Sequence, residues 1–174
     1  MRKKRLLQLT AALLCAVILS ACGGTPADAD YTCTVSISCA TILDNMDQCA
    51  ESKKELVPAD GVILPPTEVA FAEGESAFDV LQRVCRDNGI HLESKFTPVY
   101  NSAYIQGIHN IYEFDVGKLS GWMYKVNDWF PNYGCSLYQV QDGDVIRWVY
   151  TCDLGADVGG GQAAGDGQQE GAST

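Results

Sequence analysis

Residues 121–152 constrain the fold more than any other stretch of this chain. They contain all three tryptophans, four of the eight tyrosines and two cysteines, one near the middle and one at the end. Residues 122–126 have a strand-like alternation that stops at Asn127-Asp128, a pair whose short polar side chains tolerate a positive φ. Asp142-Gly143-Asp144 predicts a second turn, which leads into a strand at 145–150. The stretch therefore predicts a β-hairpin, an aromatic loop at 129–134 and a further strand.

The first 22 residues predict export and attachment to a lipid. Residues 2–5 are basic, residues 6–19 are apolar except for Gln8 and Thr10, and small residues then precede Cys22. This pattern is typical of a signal peptide at 1–21. It resembles the bacterial lipobox, in which the cysteine is acylated, as with palmitate, and becomes the first mature residue. The alternative is an ordinary secretory signal with an incidental cysteine. We expect a lipoprotein anchored through Cys22 to the extracytoplasmic face of a bacterial cell membrane.

Net charge argues against one class of partner. Removal of residues 1–21 leaves 8 basic residues against 22 acidic residues, a net charge of −14. So acidic a chain opposes binding to nucleic acid and electrostatic binding to anionic lipid. The expected membrane contact is therefore the lipid anchor alone.

Six cysteines remain after the signal peptide and Cys22. An even number in an exported domain is typical of disulfides, here up to three, and six cysteines allow fifteen pairings. The turn at 142–144 favours a pair between Cys135 and Cys152, whereas reduced thiols remain the alternative for an anaerobe. No CxxC spacing is present and the chain has two histidines, so we expect no metal site. The disulfide candidates are Cys33, Cys39, Cys49, Cys85, Cys135 and Cys152.

The order of predicted elements indicates one α+β domain at residues 31–154. Residues 31–38 alternate as a half-buried strand, and residues 41–49 predict a short amphipathic helix. A longer helix at 77–88 begins at Ser76, with Asp79 three residues later, and ends at Asn88-Gly89. Strands are predicted at 91–96 and 111–115, with a loop at 98–110 between them.

This order is not a repeating βαβ pattern, and it predicts a β-grasp-like mixed sheet packed on the helix at 77–88. The short N-terminal helix is an addition to that fold. Residues 22–30 are predicted to form a tether. Residues 155–174 contain seven glycines and no aromatic residue, and they predict a disordered tail.

Aromatic and amide side chains at 100–110, 121–129 and 130–138 have the composition of a recognition surface. Asn132 and Tyr133 beside Pro131 are the strongest surface candidates, whereas alternation within a strand favours a core position for Trp148 and Tyr150. No nucleophile elbow or phosphate-binding glycine loop is present, so we expect neither an enzyme nor a bound cofactor. The candidate ligand-binding residues are Tyr100, Asn101, Tyr104, His109, Trp122, Tyr124, Trp129, Phe130, Asn132 and Tyr133.

The segment GWMYKVNDWFPNYGCSLYQVQDGDVIRWVYTCDLGAD resembles the transcobalamin-like C-terminal domain family of bacterial surface proteins. That family carries the pattern SGW-x-Y-x-VNGW-x-x-N-x-G…DGD…W-x-Y, and the resemblance extends over most of residues 56–154. It implies a β-grasp-like domain, which in transcobalamin and intrinsic factor closes over one face of cobalamin. It also implies that Trp122 and Tyr124 lie on the first hairpin strand. Trp129, Asn132, Gly134 and Ser136 would then face a corrinoid.

Two departures from the family pattern are present. The usual VNG turn is VND here, which requires a left-handed Asp128 or a different turn. The resemblance does not extend to the large helical domain that grips the other face of cobalamin in the animal proteins. We expect a non-enzymatic binding module whose aromatic loops bind a corrinoid or a similar flat ligand. The alternative is a protein-interaction or adhesion module that uses the same loops.

Overall fold

The computed structural model describes residue 26 and residues 29–160. The predicted signal peptide, the lipidation of Cys22 and residues 161–174 of the predicted tail lie outside the described residues. No helix in this described part is long and apolar enough to cross a membrane.

The described residues form an α+β fold with one α-helix and two sheets, as the sequence predicts. The helix, α1, covers Ala77–Asp87. The strands are β1 (Tyr31–Ser38), β2 (Val62–Phe71), β3 (Leu92–Thr97), β4 (Ser102–Ile108), β5 (Ile111–Tyr112), β6 (Gly121–Val126) and β7 (Val145–Thr151).

The larger sheet has the strand order β2-β1-β7-β6. Its two central strands, β1 and β7, are parallel, and each has an antiparallel neighbour on its outer side. Val35 of β1 lies beside Ile146 of β7, and Ile37 lies beside Trp148. All four are buried, because alternate residues of both strands face the same core. Trp148 and Tyr150 are thus core residues.

Helix α1 begins where the sequence predicts. The Ser76 side chain accepts a hydrogen bond from the backbone N–H of Asp79, and the Asp79 carboxylate accepts one from the backbone N–H of Ser76. The helix buries Val80, Leu81 and Val84 in the same core as the central strands. This mixed sheet with its single α-helix is the predicted β-grasp-like arrangement.

Three segments differ from their predicted local structure. The predicted helix at 41–49 is a 3₁₀ helix at Ala40–Asn45, and the predicted strand at 111–115 is a strand only over Ile111–Tyr112. The charged segment Glu51–Leu56 forms a further 3₁₀ helix. The predicted loop at 98–110 instead contains β4. A short 3₁₀ helix, Pro98–Tyr100, ends at Asn101 in the left-handed conformation, and this turn returns the chain into β4, which pairs antiparallel with β3.

The ordered chain continues past the predicted domain end at 154. Ala156–Val158 form a 3₁₀ helix, and the Asp157 carboxylate accepts hydrogen bonds from the Thr151 hydroxyl and the Cys152 backbone N–H. Residues 155–160 are therefore part of the fold. The glycines supply the left-handed conformations at Gly155 and Gly159 that this turn needs.

Candidate functional site

A groove of about 230 Å³ lies between the start of β4 and the loop at 131–134. It brings together two segments that are some thirty residues apart in the sequence. Its lining is Thr97, Tyr100, Ser102, Ala103, Tyr104, Pro131, Asn132, Tyr133 and Gly134. We call it the aromatic groove.

Close packing of Gly134 on Ser102 holds the two sides of the aromatic groove together. A Cβ atom on Gly134 would lie 1.9 Å from the Ser102 Oγ, so only glycine fits without a shift. The hydroxyls of Ser102 and Ser136 form a hydrogen bond of 2.7 Å. The Ser136 Oγ also accepts a hydrogen bond of 2.9 Å from the backbone N–H of Ala103. The loop is thereby fixed to the first residues of β4.

A row of aromatic rings continues from the aromatic groove. The ring centroids of Trp129 and Tyr133 are 6.0 Å apart, and those of Tyr133 and Tyr138 are 6.5 Å apart. The side chains of Trp129 and Tyr133 are 50% and 40% exposed, so both rings are open to a ligand. Tyr124 supports the row from below, because its hydroxyl donates a hydrogen bond of 2.9 Å to the Tyr133 carbonyl.

The turn at 142–144 anchors this row through the buried carboxylate of Asp144. The Tyr138 hydroxyl donates a hydrogen bond of 2.8 Å to Asp144 Oδ2, and the Asn127 amide donates one of 2.7 Å to Asp144 Oδ1. Asn127 and Asp128 both have positive φ, which confirms the left-handed conformation that the VND turn requires. Asp144 thus joins the hairpin turn to the aromatic row and has a structural role.

Tyr100 and Tyr104 form the opposite wall. Their side chains are 71% and 45% exposed. The Tyr104 hydroxyl donates a hydrogen bond of 2.6 Å to Glu113 Oε2, and partial burial together with this bond raises the pKa of Tyr104 to about 12. The phenol is therefore neutral at physiological pH, and the hydrogen bond to Glu113 fixes the orientation of its hydroxyl.

The structure places five of the ten candidate residues at or beside the aromatic groove. Tyr100, Tyr104, Asn132 and Tyr133 line it, and Trp129 adjoins it through Tyr133. Asn101 is exposed at the turn that follows Tyr100, outside the lining.

Three further candidates are core residues, and the candidate site does not include them. The Trp122 indole N–H donates a hydrogen bond of 2.9 Å to the Ile111 carbonyl, and its ring packs edge-on against Tyr150. Tyr124 stacks on Trp148. Phe130 is buried, and the Lys125 ammonium nitrogen lies 5.8 Å from its ring centroid.

His109 lies at the opposite end of β4 from the aromatic groove. It and Asn110 adopt positive φ in the turn between β4 and β5, and its backbone N–H donates a hydrogen bond of 2.8 Å to the His91 carbonyl. Its position is that of a turn residue.

Four lining residues were not among the sequence-predicted candidates: Thr97, Ser102, Ala103 and Pro131. Thr97, Ser102 and Ala103 belong to the β3–β4 hairpin, which the loop prediction at 98–110 missed, whereas Pro131 lies in the loop after β6. The residues SAYIQGI alternate too weakly to indicate a strand by themselves.

Two larger depressions lack the features of the aromatic groove. One, of about 340 Å³, combines Tyr31 and Phe71 with the carboxylates of Glu73 and Asp142. The other, of about 400 Å³, lies along Gln82, Arg86 and Leu92. Neither contains a residue from the predicted recognition loops. Within the described residues, no group of three or more His, Cys, Asp or Glu side chains could hold a metal ion.

All six cysteines within residues 29–160 are free thiols in this structure, so it contains none of the predicted disulfides. The preferred pair has separate surroundings: the Cys135 Sγ contacts the Ala103 carbonyl, whereas the Cys152 Sγ contacts Thr41 Oγ1. The turn at 142–144 therefore does not bring these two thiols together as the sequence suggested.

Comparison with protein families adds one match. Residues 74–152 match the family model described as Domain of unknown function (DUF4430). The matched residues include α1, β3 to β7 and the whole lining of the aromatic groove. No curated protein matches the chain.

Among solved structures, the chain is similar in fold to haptocorrin in complex with Cbi, with a TM-score of 0.50 and 14% identity over 71% of this chain. The chain spans 26% of the haptocorrin chain. Haptocorrin is transcobalamin-like, so this likeness supports the fold relationship that the sequence resemblance implies.

A protein from Ruminococcus gnavus ATCC 29149, with a provisional metal-binding description, matches with a TM-score of 0.41 and 14% identity. The match covers 70% of this chain and 97% of that one.

Proposed function

We propose that this chain is a non-enzymatic, lipid-anchored binding module on the extracytoplasmic face of a bacterial membrane, and that its aromatic groove binds a corrinoid. The observation that carries the proposal is the meeting of two aromatic, uncharged segments at one solvent-open groove. Tyr100 and Tyr104 form one wall, and Asn132 and Tyr133 form the other.

The charge of the lining favours a neutral ligand. None of the nine lining residues is an Asp, Glu, Lys, Arg or His, although the chain has a net charge of −10. Tyrosine rings offer flat apolar area at a low cost in conformational entropy, and the Asn132 amide offers a donor and an acceptor. This combination suits a flat ligand with amide groups at its edge.

The size of the aromatic groove favours a partial and weak contact. Its volume of about 230 Å³ is below the ~300 Å³ at which pockets begin to enclose a drug-sized ligand. A corrinoid would therefore contact the groove with one edge or face while the rest of it stays open to solvent. The likeness in fold to haptocorrin, described in complex with Cbi, supports the choice of ligand class.

An absorbance and calorimetric titration with cobinamide and cobalamin tests the proposal. We expect saturable binding by the purified chain and a rise in Kd of roughly fivefold for Tyr133→Ala and for Tyr100→Ala, since each loses a ring contact worth about 1 kcal/mol. Phe114→Ala is the matched control, because Phe114 is an exposed aromatic residue outside the groove lining. Neither heat nor a spectral change at high micromolar ligand would contradict the proposal.

A second candidate function is the binding of a surface protein. The observation in its favour is that exposed apolar side chains continue beyond the groove: Phe96 and Val99 precede Tyr100 and are 59% and 86% exposed. Protein interfaces use such aromatic patches. A corrinoid-independent partner captured from the native envelope, and lost with both Trp129→Ala and Tyr133→Ala, would favour this function over the first.

A further inference from the structure

Three cysteines from three separate segments lie at one end of the central sheet. Cys39 follows β1, Cys152 follows β7, and Cys49 follows the 3₁₀ helix Ala40–Asn45. Cys39 and Cys49 are buried, and Cys152 is partly exposed. They belong to the same hydrophobic core, Cys39 and Cys49 as buried members and Cys152 packed against it.

The two strands end with their cysteines at the same edge of the sheet. In the parallel pair, Ile37 lies beside Trp148 and Ser38 lies beside Val149. Cys39 directly follows Ser38 at the end of β1, and Cys152 directly follows Thr151 at the end of β7. Cys39 is fully buried, so its thiol lies in the core that also contains Ile37 and Trp148.

Thr41 links the Cys152 thiol to the turn that begins at Cys39. The Cys152 Sγ lies 3.9 Å from Thr41 Oγ1, and the same hydroxyl donates a hydrogen bond of 2.6 Å to the Tyr150 carbonyl. The backbone N–H of Ile42 bonds to the Cys39 carbonyl at 3.0 Å, so Thr41 lies in the turn that Cys39 begins. The Cys152 thiol therefore lies against the turn that follows Cys39.

Electrostatic coupling agrees with this placement. Burial raises the pKa of the Cys39 thiol to about 12, and the thiols of Cys49 and Cys152 add to the increase. Burial likewise raises the pKa of Cys152, with a contribution from Cys49. Such contributions decay with distance, in agreement with the contact between the Cys152 thiol and the turn after Cys39.

We propose that Cys152 forms a disulfide with one of the two buried thiols beside it, Cys39 or Cys49, and that the third thiol stays reduced. The proposal is independent of the proposed ligand. The bond would tie the end of the last strand to the segment after the first, which closes the domain.

The oxidant in this reaction is a small external disulfide. The thiolate of Cys152, the most accessible of the three, attacks the external disulfide and releases one thiolate. The thiolate of Cys39 or Cys49 then attacks the Cys152 sulfur in the mixed disulfide and expels the second. Two protein thiols are thereby oxidised to one disulfide, and the external disulfide is reduced to two thiols.

Peptide mapping of the mature chain after equilibration with oxidised glutathione tests the proposal. Free thiols are blocked with iodoacetamide before digestion. Trypsin cleaves after Arg147 and separates Cys135 from Cys152, and cleavage before Asp47 separates Cys39 from Cys49. Cys33 and Cys39 stay on one peptide, and its fragment ions show which of the two carries the iodoacetamide label and was therefore reduced. A peptide that joins Cys152 to Cys39 or to Cys49 is the expected result. The proposal would be overturned if Cys152 remains reduced, keeps glutathione, or is joined to any other cysteine.

Melting curves provide a second readout. We expect oxidation to raise the Tm of the native sequence by on the order of 10 °C, because the bond closes a loop of about a hundred residues. The difference in Tm between the oxidised and the reduced chain should be absent in Cys152→Ser. It should persist in Cys85→Ser, which removes a buried thiol other than Cys39, Cys49 and Cys152. A redox difference that persists in Cys152→Ser would contradict the proposed pair.

Discussion

Gly134 is the residue on which the width of the aromatic groove depends. Its Cα lies so close to Ser102 that an added Cβ would be 1.9 Å from the hydroxyl oxygen and 2.3 Å from the Ser102 Cβ. Ser102 is buried, so its side chain has little space in which to move. Glycine at 134 is therefore required by the close approach of loop and strand.

We predict that Gly134→Ala lowers the free energy of unfolding by about 1–3 kcal/mol, because overpacking in a buried contact forces the backbone to shift. Urea denaturation measures the loss. The Ser102→Gly change should restore part of the stability of Gly134→Ala, since it removes the atoms that clash.

Gly121→Ala is the matched control for this prediction. A Cβ at Gly121 would be 3.7 Å from the Glu113 Cβ, an ordinary contact. We expect this variant to stay within about 0.5 kcal/mol of the native chain. Equal losses for the two variants would show that the contact between Gly134 and Ser102 has no special role.

At the scale of elements, backbone hydrogen bonds connect the first turn of helix α1 to the segment that follows the aromatic loop. The backbone N–H of Ala77 donates a hydrogen bond of 2.9 Å to the Tyr138 carbonyl, and that of Phe78 donates one of 3.3 Å to the Cys135 carbonyl. The first turn of a helix has free N–H groups. Here the segment after the loop satisfies two of them, so the helix positions the loop.

We predict that Ser76→Ala costs about 1 kcal/mol in the free energy of unfolding, because the Asp79 N–H loses its acceptor and the capping box is broken. Chemical denaturation measures it, with Ser94→Ala on exposed β3 as the control. A cost no larger than that of Ser94→Ala would refute the role of the cap.

The elements that sequence analysis predicts well are those with a strong local signal. Helix α1 has a cap and an apolar stripe, and β1 alternates cleanly, so both were predicted nearly to the residue. Strand β4 was missed because its residues, SAYIQGI, follow a proline and an asparagine turn and alternate weakly. Its register depends on β3, which is a tertiary effect.

The candidate site was half predictable for the same reason. Asn132 and Tyr133 could be assigned to the site because the loop at 129–134 is more aromatic than an ordinary solvated loop. Trp122, Tyr124 and Phe130 have the same composition but lie in the core, and local pattern cannot distinguish the two environments. Which aromatic residues face solvent is decided by the contact between Gly134 and Ser102 and by the β3–β4 hairpin.

At the scale of the whole molecule, the fold separates two tasks. The central strands, α1 and the thiols of Cys39, Cys49 and Cys152 belong to the scaffold. The aromatic groove lies on the rim where the smaller sheet β3-β4-β5 meets the loop after β6. The acidic surface leaves this uncharged groove as the part best suited to a neutral ligand. We propose that the ligand binds there.

Aromatic ¹H–¹³C NMR during a cobinamide titration tests that claim most directly, because it locates the contact. We predict that the ring signals of Tyr100, Tyr104 and Tyr133 shift and saturate together, while those of Phe71 and Phe114 stay unchanged. If cobinamide instead shifts Phe71 and Tyr31, or leaves every ring signal in place at high micromolar ligand, the aromatic groove is not a corrinoid site.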